Sequence, residues 1–169
     1  PERIKKQITL DLKNITSKKK NFANLNFLRP PIIMGILNLT PDSFSDGGKF
    51  NNESKGFRHA IKMFKSGASI IDVGGESTRP GSRGVNIKLE WKRINKILQL
   101  ISKKIPVSLD TRKSEIMEKG IKLGVKIIND VSGLNYDPET INILKKYKVP
   151  FVIQHSKGTP ETMQNNPTY

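Results

Sequence analysis

The chain has 169 residues, of which 35% are hydrophobic, and it carries a formal net charge of +15. This length suffices for one domain with a buried core, and no apolar run approaches the ~18 residues of a membrane span. The chain contains no cysteine, which excludes disulfide bonds and thiolate metal sites and fits a reducing compartment. The first residues also lack the apolar core of a signal peptide. We therefore predict a cytoplasmic protein that does not bind membranes.

The positive charge does not indicate a nucleic-acid-binding protein. Lysines are spread along the whole chain, and asparagine and isoleucine are abundant as well, a combination that AT-rich codons give. Aromatic residues are not interleaved with the lysines, as base-stacking surfaces would require. A basic binding module for nucleic acid remains the alternative from another functional class, and a salt-sensitive mobility shift would support it.

Residues 1–29 form a first segment that differs from the rest of the chain. Ile8, Leu10 and Leu12 alternate with polar residues, which predicts a short, half-buried strand. From residue 30 onward, short apolar runs alternate with patterns of helical spacing. We predict strands at 32–37, 69–73, 107–109, 125–128 and 151–153, with helices between them. Such an alternation implies a parallel sheet in an α/β fold.

Each predicted strand ends on a polar residue. These residues are Asn38, Asp72, Asp110, Asn129 and His155. Their recurrence favours a TIM-type (β/α)₈ barrel, because a barrel collects all its strand ends at one mouth. A whole barrel needs ~250 residues, so we predict that residues 30–169 are the first βα units of a barrel truncated after about strand five. The alternative interpretation, that such a residue only shapes the next turn, is strongest for Asp72, which Gly74 and Gly75 follow.

Two loops carry groups suited to an anionic ligand. The loop after Asn38 holds several hydroxyls and carboxylates, and the loop Thr78-Arg79-Pro80-Gly81 offers a hydroxyl, a guanidinium and backbone N–H groups. The alternative for the second loop is an ordinary surface turn in which Arg79 pairs with Glu76. A hard cation such as Mg²⁺ could be held by Asn38, waters and phosphate oxygens. Deeper in the mouth, Asp110 and Asn129 could recognise a polar heterocycle.

The chain resembles the dihydropteroate synthase family of pterin-binding barrels, over the N-terminal part of that family's sequence. Four stretches match its motifs, and the second contains Gly-Glu-Ser-Thr-Arg-Pro-Gly. They are Met34–Gly48, Asp72–Ser82, Ser108–Lys113 and Ile128–Gly133. A fifth stretch, 155–160, is close, but Gln154 and Ser156 stand where the family favours methionine or another apolar residue.

The resemblance implies a transferase of folate biosynthesis that condenses 6-hydroxymethyl-7,8-dihydropterin pyrophosphate with p-aminobenzoate, using Mg²⁺. It implies that Asn38 holds the metal and the pyrophosphate, that Thr78 contacts the pyrophosphate-bearing pterin, and that Asp110 and Asn129 bind the pterin ring. It further implies that Ser43, Phe44, Arg79 and Pro80 complete the p-aminobenzoate pocket, where sulfonamides would compete. Asp110 and Arg79 are the implied catalytic residues.

Three further expectations come from the resemblance. The full-length protein would be a homodimer, and residues 1–29 would be an N-terminal segment or a linker from a preceding pterin pyrophosphokinase. The 169-residue chain alone would not turn over, because the family draws further pterin-binding residues from later strands. The alternatives are a pterin-binding methyltransferase barrel, which needs no pyrophosphate loop, and a non-catalytic homologue.

Overall fold

The computed structural model describes residues 1–17, 21, 23, 25–26, 31–40, 52–79, 81–155, 158 and 162, and it describes the backbone alone at 52 and 53. Within these ranges, helices and strands alternate. They are α1 (Glu2–Thr16), β1 (Met34–Asn38), α2 (Asn52–Lys65), β2 (Ile70–Gly74), α3 (Ile87–Ile101), β3 (Val107–Asp110), α4 (Ser114–Lys122), β4 (Ile127–Asp130), α5 (Thr140–Tyr147) and β5 (Phe151–Ile153). No helix in the described part of the chain is both long enough and apolar enough to span a bilayer.

The five strands form one parallel sheet in the order β1-β2-β3-β4-β5. Each strand therefore pairs with the next one along the chain. The carboxyl ends of the strands consequently meet at one edge of the sheet, where α/β proteins place their sites. The prediction of a parallel α/β sheet is confirmed, and every predicted strand from residue 32 onward is present within a few residues of its expected bounds.

The core lies between one face of the sheet and the helices α2, α3 and α4. Outward-facing residues of the central strands, such as Val73, Leu109 and Ile128, are fully buried there. Helix α3 shows why these segments are helical. Asn86 accepts a hydrogen bond from the backbone N–H of Leu89 at 2.8 Å and so caps the helix, whose apolar stripe faces the sheet.

The predicted strand in the N-terminal segment is wrong. Residues 2–16 form helix α1, and Ile8, Leu10 and Leu12 all lie on it, exposed. Two of those three residues also belong to a longer pattern of helical spacing. Ile4, Ile8, Leu12 and Ile15 follow the spacing of one helical face, and a helical period over about three turns outweighs a three-residue alternation. Leu25, also in the N-terminal segment, is buried against Ile70 of β2.

Asp137 connects the starts of two helices. The N-cap of α5 is Glu139, and Asp137 lies two residues before it. The Asp137 carboxylate accepts hydrogen bonds from the backbone N–H groups of Glu139, at 3.0 Å, and of Ser114, at 2.9 Å. Asp137 therefore joins the starts of α4 and α5, a tertiary role that local spacing does not indicate.

Candidate functional site

Four strand-end residues occupy one level of the sheet. The register aligns Asn38 with Gly74, Gly74 with Asp110, and Asp110 with Asn129. Gly74 has no side chain, and a Cβ built on it would lie 3.3 Å from Asp110 Oδ2 and 3.4 Å from Asn38 Oδ1. The amide oxygen of Asn38 and the carboxylate of Asp110 therefore face the same small space above Gly74.

Asp72 lies one layer deeper in the same mouth. It is buried, and its Oδ2 accepts a hydrogen bond of 3.1 Å from Asn129 Nδ2. This bond fixes the orientation of the Asn129 side-chain amide, because its Nδ2 points to Asp72 and its Oδ1 is left as an acceptor. Asn129 Oδ1 is buried and has no hydrogen-bond partner within the described residues, which marks it as a position where a ligand donor fits. The interpretation of Asp72 as a mere turn residue is therefore wrong.

The two aspartates share an environment that disfavours negative charge. Burial raises the pKa of Asp110 to about 7, and the nearby Asp72 carboxylate adds to the shift. Burial likewise raises the pKa of Asp72. Hydrogen bonds to its carboxylate, including the one from Asn129, offset part of this increase. A group that donates N–H bonds, or that carries positive charge, would relieve this unfavourable burial of carboxylates.

These side chains line a cavity of about 580 Å³ that also reaches the loops above the sheet. The polar residues in its wall are Asn38, Asp72, Glu76, Ser77, Thr78, Asp110, Arg112, Asn129, Ser132, Asn135, Tyr136 and Gln154. A cavity of this size suits a small-molecule ligand. Its floor is acidic, whereas Arg112 and the hydroxyls of Ser77 and Thr78 stand on its rim.

Arg112 and Tyr136 are site residues that the sequence prediction missed. The Arg112 guanidinium lies 4.0 Å from the centre of the Tyr136 ring and donates two hydrogen bonds to Glu76, from Nε at 3.0 Å and from Nη2 at 3.1 Å. The signal for Arg112 was present, because it stands two residues after Asp110 in a matched motif. Tyr136 belongs to the loop after β4, and only the fold brings it to the rim.

The other predicted site residues differ in whether they line the cavity. Thr78 lines the cavity, whereas Arg79 is exposed beside it and is not a lining residue. Glu76 pairs with Arg112 and Lys113, so the proposed pair between Glu76 and Arg79 is wrong. His155 is exposed and does not line the cavity. The predicted residues Ser43, Phe44 and Pro80 lie outside the described residues.

Comparison with known sequences decides the family. A sequence profile described as pterin binding enzyme matches residues 34–169. The chain belongs to the pterin binding enzyme family. Its relatives in this family include the dihydropteroate synthases of Bacillus subtilis, 39% identical over 95% of this chain and 55% of the relative, and of Escherichia coli, 42% identical over 84% and 51%. The chain spans about half the length of the curated relatives it matches.

Solved structures of pterin binding enzymes share the fold. The Yersinia pestis dihydropteroate synthase in a sulfonamide complex aligns with a TM-score of 0.78 and 37% identity, over 89% of this chain and 55% of that one. The Clostridium difficile enzyme, determined in the presence of pteroic acid, gives 0.73 and 41%, over 82% and 52%. The predicted family and the predicted fold class are both confirmed, since the described residues form five parallel strands, as expected for the first part of a TIM-type barrel.

Proposed function

We propose that this chain forms the pterin-binding part of a dihydropteroate synthase. The reaction joins 6-hydroxymethyl-7,8-dihydropterin pyrophosphate to p-aminobenzoate and releases pyrophosphate. The observation that carries the proposal is the acidic floor of the cavity, where Asp72, Asp110 and Asn129 converge. It occurs in a chain that is about 40% identical to several proteins named dihydropteroate synthase.

The cavity floor suits the pterin ring. The amidine-like edge of a pterin donates N–H groups, which a carboxylate accepts well, while Asn129 both donates and accepts. Asp72 orients the Asn129 amide, so that its buried Oδ1 receives a ring donor. Asp110, with its pKa raised to about 7, gains a stabilising partner when the ring becomes positively charged.

The rim suits the pyrophosphate. Thr78 offers a hydroxyl and Arg112 a guanidinium, and both line the cavity. Mg²⁺ fits the space above Gly74, because the oxygens of Asn38 and Asp110 converge there and a Cβ would fill it. Asn38 would hold the ion together with waters and pyrophosphate oxygens. When bound, Mg²⁺ would neutralise the charge that the leaving pyrophosphate gains.

The p-aminobenzoate would bind at the mouth of the cavity near Arg79, and the resemblance to dihydropteroate synthases assigns Ser43, Phe44 and Pro80 to the same pocket. Arg79, exposed next to the rim residue Thr78, can pair with the benzoate carboxylate. Sulfonamides would compete at this position, and the Yersinia pestis relative was solved in a sulfonamide complex.

The chemistry is a substitution at the pterin methylene carbon. The carbon–oxygen bond to pyrophosphate breaks, the amine nitrogen of p-aminobenzoate bonds to the same carbon, and the nitrogen loses a proton. The carboxylates on the cavity floor stabilise positive charge on the ring while the bond breaks. The rim loops exclude water, which would otherwise capture the reactive carbon.

We further propose that the full-length protein is a cytoplasmic homodimer. The N-terminal segment could join it to a pterin pyrophosphokinase domain. The isolated 169-residue chain should not turn over, because its matches to relatives of the same family cover only 51–55% of each relative.

The test is pyrophosphate release by the protein expressed from its full reading frame. Release should require both p-aminobenzoate and Mg²⁺. Asp110→Asn should lower kcat/KM by about 100-fold or more, since it removes the negative charge that the cationic ring needs. Glu115→Gln, which changes an exposed carboxylate on α4, is the matched control and should act like the wild type.

Two outcomes would contradict the proposal. Release that does not depend on p-aminobenzoate would exclude the condensation. Pterin binding without any release would favour a pterin-binding methyltransferase or a non-catalytic homologue.

A further inference from the structure

Four charged residues form a buried cluster beside the cavity, which we call the ionic clamp. It comprises Glu76, Glu90, Arg112 and Lys113. Lys113 Nζ donates to Glu76 Oε2 at 2.9 Å and also to Glu90 Oε2, while Arg112 makes its two bonds to Glu76. Glu90 is 0% exposed, Lys113 4% and Glu76 7%. With two carboxylates and two cations, the ionic clamp is electrically balanced.

The ionic clamp joins three parts of the chain, namely the loop after β2, helix α3 and the turn after β3. Glu90 lies on α3 and also accepts a bond of 2.6 Å from the Thr111 hydroxyl. Glu76 begins the loop after β2, and its Oε1 accepts the backbone N–H of Val85 at 2.8 Å. Glu76 therefore holds both ends of the segment 76–85, which contains the rim residues Ser77 and Thr78.

Only half of the ionic clamp reaches the cavity. Glu76 and Arg112 are lining residues, whereas Glu90 and Lys113 are not. Glu90 is nevertheless connected to the rim by an unbroken chain of contacts, from Glu90 to Lys113, from Lys113 to Glu76, and from Glu76 to Arg112. The bidentate bond to Glu76 and the Tyr136 ring together fix the plane of the Arg112 guanidinium.

Stability alone does not account for such an arrangement. Removing charges from water is costly, and buried ion pairs are often replaced by apolar residues without loss of stability. What apolar side chains cannot do is fix the direction of a guanidinium and both ends of a loop.

We propose that Glu90 and Lys113 are positioning residues that orient the rim of the cavity, namely Arg112 and the segment Ser77–Thr78, toward the pyrophosphate of the substrate. This inference rests on the proposed function for the identity of the anion. Neither residue touches the substrate. They act by setting the orientation of Glu76.

The test compares Glu90→Gln, Lys113→Met and the double variant in the protein from the full reading frame. Each single variant leaves the ionic clamp with an unbalanced charge, so both should unfold at a lower temperature. The double variant is balanced again and keeps the pair between Glu76 and Arg112, so its melting temperature should return close to that of the wild type.

The order of the rim, unlike the melting temperature, should not recover in the double variant. In the double variant, amide hydrogen exchange of residues 77–85 should be at least tenfold faster than in the wild type, and the Kd for inorganic pyrophosphate should rise about tenfold. Exchange in β2 and β3 should not change. The control pair Glu115→Gln and Lys119→Met, which removes an exposed salt bridge on α4, should alter neither readout.

A double variant that recovers stability together with wild-type loop exchange and pyrophosphate affinity would overturn the inference. If the wild type binds no pyrophosphate, the proposed function fails. The exchange measurement still decides whether the ionic clamp positions the loop.

Discussion

Two groups of carboxylates lie at the same cavity, and their pKa values are shifted in opposite directions. On the cavity floor, burial raises the pKa of both Asp72 and Asp110, and the Asp72 carboxylate raises the pKa of Asp110 further. In the ionic clamp, burial also acts to raise the pKa of Glu76. There, the hydrogen bonds from Arg112 and Lys113 outweigh it, and the pKa of Glu76 lies below its ordinary value.

The contrast shows how one fold separates binding from positioning. A carboxylate buried with cations is satisfied within the protein and holds its neighbours in place. A carboxylate buried without a cation destabilises the fold when it is ionised, and a ligand that supplies a hydrogen-bond donor or a positive charge removes this cost. The cavity floor is therefore the part of the molecule prepared for a ligand, and the ionic clamp is the part that holds the cavity's shape.

The largest expected effect is on the ionic clamp. Lys113→Met leaves the carboxylates of Glu76 and Glu90 buried with only Arg112 to balance them, and it should lower the free energy of unfolding by about 3–5 kcal/mol. Lys119→Met removes an exposed salt bridge with Glu115 and should cost less than about 0.5 kcal/mol. Urea unfolding at pH 7 measures both. Equal losses would show that the ionic clamp is no more important to stability than a surface pair.

On the cavity floor, removing a charge should raise the free energy of unfolding instead of lowering it. Because the pKa of Asp110 is raised to about 7, the folded protein binds a proton more tightly than the unfolded chain. The stability that Asp110 contributes is therefore complete below its ordinary pKa and is lost as the pH rises to about 7. Asp110→Asn cannot ionise and should be more stable than the wild type at pH 8, by about 1–3 kcal/mol, but not at pH 4.

Asp137→Asn is the matched control for that prediction. Burial acts to raise the pKa of Asp137, but the backbone hydrogen bond from Ser114 and its other bonds hold it below the ordinary value. This carboxylate therefore stabilises the fold above its ordinary pKa and loses that contribution as the pH falls through its lowered value. The variant should lose about 1 kcal/mol at pH 8, because a neutral amide accepts the two backbone hydrogen bonds less strongly than a carboxylate does. A loss for Asp110→Asn at pH 8 would contradict the interpretation of the cavity floor.

The smallest effect concerns Glu118, a carboxylate at the protein surface whose side chain is 25% exposed. The hydrogen bond from Tyr147, followed by that from Lys146, lowers the pKa of Glu118 to about 2. Tyr147→Phe should raise the pKa of Glu118 toward its ordinary value in an NMR titration, with little change in stability at pH 7. Tyr136→Phe, on the cavity rim, should leave that pKa unchanged. A Glu118 pKa that is the same in wild type and Tyr147→Phe would show that the tyrosine does not control it.

Much of the fold could be predicted because its signals are local. Gly67 and Gly124 end helical patterns with positive φ, at 108° and 103°, and β-branched runs follow both. Asn38, Asp72, Asp110 and Asn129 could be placed at one edge from strand spacing alone. The alternation of Ile8, Leu10 and Leu12 does not predict the helix at residues 2–16, because it is shorter than the helical pattern around it.

The sequence by itself determined the parallel order of the strands, their polar ends and the motifs of the pterin binding enzyme family, since each depends on spacing along the chain. Only the tertiary structure decided the partners of the charges. Glu76 lies three residues from Arg79 but pairs with Arg112, 36 residues away. Asp72 reaches Asn129 across 57 residues. Buried charges are paired by position in space, where desolvation makes a partner necessary, and that position is fixed only when the sheet has formed.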